Sequence, residues 1–206
     1  MRRATAALLL LAAPLAAAGC GDDDAPQPTG SATPPPSASA TAGAPIVASG
    51  ALAAYTAGAA AITYDPKLAP LNATLSVAIT PAGDESTVEL TAGGFVANRA
   101  YGAHIHSAPC GATGDAAGPH FQQSPDPAAS ASPPSVDPSY ANSTNEIWLD
   151  FRTDATGGAT VTTKHRGTFT NTPRSVIVHA STTSTEPGKA GTAGARLACL
   201  NVPARG

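Results

Sequence analysis

The stretch "NATLSVAITPAGDESTVELTAG", Asn72 to Gly93, decides the fold class. Leu75, Val77 and Ile79 take alternate positions, and Val88 and Leu90 repeat the pattern after Pro81, Gly83 and Asp84. Successive side chains of a strand leave opposite faces, so period-two alternation marks half-buried antiparallel strands. Working outward, short runs rich in Thr, Val and Ile recur between Gly, Pro, Asn and Asp punctuation. Strands are predicted over 59–64, 72–80, 86–93, 100–107, 145–153, 158–165, 174–180 and 195–202. No segment carries a helical stripe capped at both ends. The expected class is all-β, an eight-stranded immunoglobulin-like sandwich or Greek-key barrel.

Residues 111–144 resist this pattern, forming a long irregular segment inside the domain. Loops of that length are functional or disordered. This one contains "GPHF" at 118–121.

The N-terminus reads differently. Arg2 and Arg3 precede an apolar run from Ala4 to Ala18, then small residues and Cys20. That layout is a secretory signal peptide over 1–19, too short to span a membrane. The "AAGC" ending at Cys20 resembles a bacterial lipobox, with Ala17 in place of the usual large aliphatic residue. Cys20 is therefore the expected lipidation site, joining the chain to a bilayer; an ordinary cleaved signal with a stray cysteine is the alternative. Residues 20–47 are rich in Pro, Ser, Ala and Gly and read as a flexible tether. The folded domain is expected over 48–206, long enough for a sizeable core. Without residues 1–19 the chain keeps 9 basic and 14 acidic residues, a formal charge of −5. Nothing there suggests a nucleic-acid partner. The expected setting is extracytoplasmic.

"AYGAHIHSAPCG", Ala100 to Gly111, holds two of the five histidines. On a strand His104 and His106 point to one side, about 7 Å apart in Cα terms. An H-x-H pair alone is weak evidence for a metal. His120 follows in the long loop, and His179 ends the apolar run "SVIVH". Four imidazoles without a thiolate suit Cu(II), with zinc as the other occupant to weigh. His165, between Lys164 and Arg166, is expected to be exposed.

Taken in order, "GAHIHSAPCG", "AAGPHF", "SVIVH" and "AGARLAC" resemble the copper/zinc superoxide dismutase family across residues 55–202. The resemblance implies that His104, His106, His120 and His179 bind one copper ion. It implies that His120 is the histidine that bridges copper to zinc in zinc-containing relatives. It also implies a Cys110–Cys199 disulfide and an Arg196 guanidinium at the mouth of the metal site. Such a bridge would close a loop of about 90 residues, worth at most roughly 4–5 kcal/mol in the chain-entropy model. The alternative is two free buried thiols. The implied activity takes superoxide as substrate and yields dioxygen and hydrogen peroxide. Arg196 and His120 are the expected catalytic residues, one attracting the anion and the other carrying a proton.

Two departures stand out. No histidine occurs in 122–145, where the family carries two further zinc ligands and then an aspartate. Asp126, Asp137 and Glu146 remain, but one carboxylate with His120 is not a tetrahedral zinc site. The chain therefore resembles the copper-only members of the family. The loop after His179 carries only Glu186 and Lys189 as charges, so the aspartate that ties the family's two metal sites is lost or replaced. Glu146 is either an acceptor behind His120 or another ligand, or a solvated strand-end carboxylate. Two other functions fit parts of the pattern. A copper-storage lipoprotein would share the four histidines, and a metal-free envelope sandwich would share the fold. Oligomeric state is not encoded in any motif of the chain.

Overall fold

The computed structural model describes residues 44–130, 133–167, 169 and 173–204. The signal peptide, Cys20 and nearly all of the tether lie outside the described residues. Among the described residues nine strands form two antiparallel sheets, rather than the eight strands expected. They are β1 (Ile46–Ala51), β2 (Ala61–Thr63), β3 (Thr74–Ala82), β4 (Glu85–Gly93), β5 (Ala100–His106), β6 (Phe151–Arg152), β7 (Ala159–Arg166), β8 (Ser175–His179) and β9 (Arg196–Asn201). One sheet runs β1-β3-β4-β7 and the other β2-β9-β8-β5-β6. Two separate sheets make a sandwich, so the closed-barrel alternative does not hold.

The opening stretch behaves as its alternation requires. β3 and β4 pair along their whole length, with Val77 opposite Leu90 and Ile79 opposite Val88. These side chains are buried and meet Tyr101, Ile105, Val176, Val178, Leu197 and Leu200 of the second sheet in one core. The hydrophobic effect thus fixes the register, since a one-residue slip would turn each apolar set outward.

Three strand expectations are corrected. β1 begins at Ile46, inside the stretch assigned to the tether, and pairs as an edge strand with β3. The segment 145–153 keeps only Phe151–Arg152 as a regular strand. Before that it follows the edge of β5 through single contacts, Leu149 N to Ala103 O at 2.7 Å and Ile105 N to Ile147 O at 3.3 Å. Alternation survives there: Ile147 and Leu149 enter the core, while Glu146 and Asp150 turn to the opposite face, where the hydrogen bonds described below engage them. His165 is buried, not exposed. On β7 its charged neighbours Lys164 and Arg166 face outward, and its ring lies between Phe121 and Phe169.

Candidate metal centre

Strand alternation brings the first three imidazoles together. β5 sends Tyr101, Ala103 and Ile105 into the core, which leaves His104 and His106 on the other face. β8 lies beside it with Gly102 opposite His179 and Ile177 opposite His104. Gly102 has a packing reason: a Cβ there would stand 2.5 Å from Ser181 O and 2.7 Å from Ala193 Cβ. Only glycine lets the loop after His179 close over the sheet. The fourth imidazole arrives from the long loop. Phe121 N donates to Ile105 O at 2.8 Å and Ser107 N to Pro119 O at 3.1 Å, so His120 is held against β5.

One ring nitrogen from each of His104, His106, His120 and His179 lies within 4.8 Å of the others. Among the described residues this is the one group of three or more His, Cys, Asp or Glu side chains arranged to hold an ion. The outer nitrogens are all engaged. His106 Nδ1 donates to Gly118 O at 3.0 Å and His179 Nδ1 to Gly194 O at 3.3 Å. His120 Nδ1 donates to Glu146 Oε2 at 2.7 Å. His104 Nε2 meets Thr183 Oγ1 at 2.6 Å, and that hydroxyl reaches Asp150 Oδ1 at 2.6 Å. Asp150 can only accept, so Thr183 donates to it and the His104 Nε2–H donates to Thr183. These bonds fix the tautomers.

The inward nitrogens are left without partners. His104 Nδ1, His106 Nε2 and His179 Nε2 are buried and make no hydrogen bond. Three orphaned buried acceptors would cost free energy in an empty core, so they fit a cation that shares their lone pairs. Burial, and then the neighbouring imidazoles, hold His104 and His106 well below the usual histidine range. Burial brings His179 to about 3. Neutral imidazoles are the form that ligates a metal.

Arg196 faces the same centre. A register shift on β8 next to His179 sets His179 opposite Arg196 instead of Leu197, the kind of re-aiming that bulges provide. Its Nη1 donates to Gly114 O at 2.9 Å, and Gly114 is required because a Cβ would stand 2.6 Å from Arg196 Cβ. Cys110 and Cys199 form a disulfide with Cα atoms 5.8 Å apart, which staples the start of the long loop to β9. Asp126 instead accepts bonds from Ser135 and the Ala128 N–H within its own loop. Asp137 likewise accepts from the Ser139 N–H. Sequence reading does not find Thr183 and Asp150; the period-two alternation from Glu146 is the signal that places Asp150 on the site face.

Fold and site together define a β-sandwich with an all-histidine cluster arranged to hold a metal ion. Residues 73–202 match the family model of copper/zinc superoxide dismutase, and the chain belongs to that family. It is similar to the copper/zinc superoxide dismutase from Brucella abortus at 17% identity, covering 63% of this chain and 88% of that chain, with a TM-score of 0.41. It is also similar to a double mutant of a SOD-like protein from Bacillus subtilis at 18% identity, covering 62% of this chain and 87% of that chain, with a TM-score of 0.42. No curated protein matches the chain.

Proposed function

We propose that the protein is a superoxide dismutase working from one copper ion held by His104, His106, His120 and His179, with no zinc beside it. The observation that supports this reading is the bond from His120 Nδ1 to Glu146, which occupies the nitrogen that would face a second metal. His104 would hold the ion through Nδ1, and His106, His120 and His179 through Nε2. Copper, when bound, supplies one-electron redox chemistry.

The remaining steps belong to the chain. Two superoxide anions and two protons give one dioxygen and one hydrogen peroxide. Arg196 attracts the anion into the cavity that it shares with His120 and His179. Glu146 keeps the Nδ1 proton of His120 in place, so His120 Nε2 is the atom that takes up and delivers a proton. His120 suits the role because it is only partly buried, whereas His104 and His106 are fully enclosed. Storage of copper needs no guanidinium aimed at the centre, which favours the enzyme over a copper-storage lipoprotein.

The N-terminal sequence supports a lipid anchor at Cys20, a tether from there to the start of β1 at Ile46 and a site of action outside the cytoplasm. Metal analysis of the purified chain after exposure to copper and zinc together tests the copper-only reading. One copper and no zinc per chain is expected; two metals per chain would contradict it.

A further inference from the structure

The cavity beside the metal centre has a volume of about 860 Å³. Superoxide is a two-atom anion, comparable with the ~30 Å³ that a water claims in the liquid. The excess volume lies in the range of organic ligand sites, roughly 300–1,000 Å³. His179 and Arg196 line it next to the histidine cluster, while Pro125, Pro134 and Val136 of the long loop give it an apolar wall.

Arg174 lines the same cavity. Its Nε is buried without a hydrogen-bond partner, and among the described residues its guanidinium enters no hydrogen bond or ion pair. A buried Nε–H with no acceptor is costly and points to one supplied from outside. The two carboxylates of the cavity do not fill that role. Glu146 is taken by His120, Gln122 and Trp148, and Asp126 by Ser135 and its own turn. Arg196 spends one N–H on Gly114 O. The unpaired hydrogen-bonding group among these four is therefore the Arg174 Nε–H, and the cavity also has an apolar wall.

We infer that this cavity binds a small organic carboxylate with an apolar body of about aromatic-acid size. The carboxylate pairs with Arg174, whose planar fork suits a two-oxygen anion. The body lies against Pro125, Pro134 and Val136, whose burial favours it over a simple hydrated anion. The inference goes beyond the dismutase reading and does not rest on it, because none of these contacts uses an imidazole of the cluster.

Titration of the full chain with benzoate and with acetate, followed by calorimetry, tests it in metal-free and copper-loaded protein. The expected result is saturable one-to-one benzoate binding at about millimolar or tighter, with acetate at least about tenfold weaker. Arg174→Gln should weaken benzoate about tenfold or more, and Arg174→Lys should recover part of the loss. Val136→Asn, which removes apolar surface without adding charge, should weaken benzoate while leaving acetate unchanged. Benzoate binding no tighter than acetate would overturn the inference. So would failure to saturate by about 50 mM, or native affinity in Arg174→Gln. Should Arg174→Gln fail to fold by its melting curve, native benzoate affinity in Val136→Asn would overturn it instead. The metal content of the chain, measured separately, reports on the dismutase reading alone.

Discussion

Glu146 Oε2 accepts the Nδ1 proton of His120 at 2.7 Å, and the same carboxylate accepts Trp148 Nε1 at 2.7 Å and Gln122 Nε2 at 2.8 Å. It is only 2% exposed. A buried carboxylate with three donors is a rigid stop for the imidazole in front of it. Glu146→Ala should lower copper affinity about 10–100-fold, as loss of a partner behind a ligand does. It should also cost about 1–3 kcal/mol of stability for the donors left unpaired. Chelator competition and thermal melting read the two effects separately.

Thr183 stands between His104 Nε2 and Asp150, with 2.6 Å on each side. Thr183→Val keeps the shape and removes the hydroxyl. His104 then loses the bond that keeps Nδ1 free for the metal, and copper affinity should fall about 10-fold or more. Thr183→Ser should restore it. Equal affinity in the Thr183→Val variant and the native chain, by the same competition, would remove Thr183 from the account.

In the proposed reaction Arg196 acts on the encounter rather than on the metal. Arg196→Ala should slow superoxide consumption about tenfold or more while leaving copper binding intact. The native rate should fall as ionic strength rises past about 0.1 M, where the screening length shrinks to about 10 Å. The variant should show a much flatter salt dependence.

Acid should unfold the metal-free chain through its buried histidines. Burial lowers His165, and burial with neighbouring imidazoles lowers His104 and His106, while His179 stands at about 3. A folded-state value below the unfolded ~6.5 means the unfolded chain binds the extra proton. Stability is therefore full above about pH 6.5 and is lost as pH falls toward the folded values. Each such group contributes a slope of about 1.4 kcal/mol per pH unit in that window. His165→Phe should shed one proton's worth of the slope in denaturant titrations between about pH 7.5 and 5. Bound copper should raise stability at neutral pH and steepen the loss in acid, since unfolding then releases the metal and lets its histidines take up protons.

Much of this is legible in the chain. Period-two alternation places Leu75, Val77, Ile79, Val88 and Leu90 inside, and His104 and His106 on one face, because burial on one side of a strand leaves that mark. β1 escapes notice because "IVASGA" is mostly small residues, with Gly50 in place of a packing side chain. The charged neighbours of His165 suggest exposure, yet on a strand they say nothing of the residue between them. Asp150 and Thr183 are 33 residues apart and meet only through the fold. No local pattern announces a bond between a loop hydroxyl and a strand-edge carboxylate.

The central claim is turnover at a single copper ion. Superoxide decay, followed by stopped flow on the full chain loaded with one equivalent of copper and no zinc, tests it directly. Each chain should consume many superoxide anions, at a rate that added zinc does not raise. Decay no faster than with the metal-free chain, or activity that appears only when zinc is added, would contradict it.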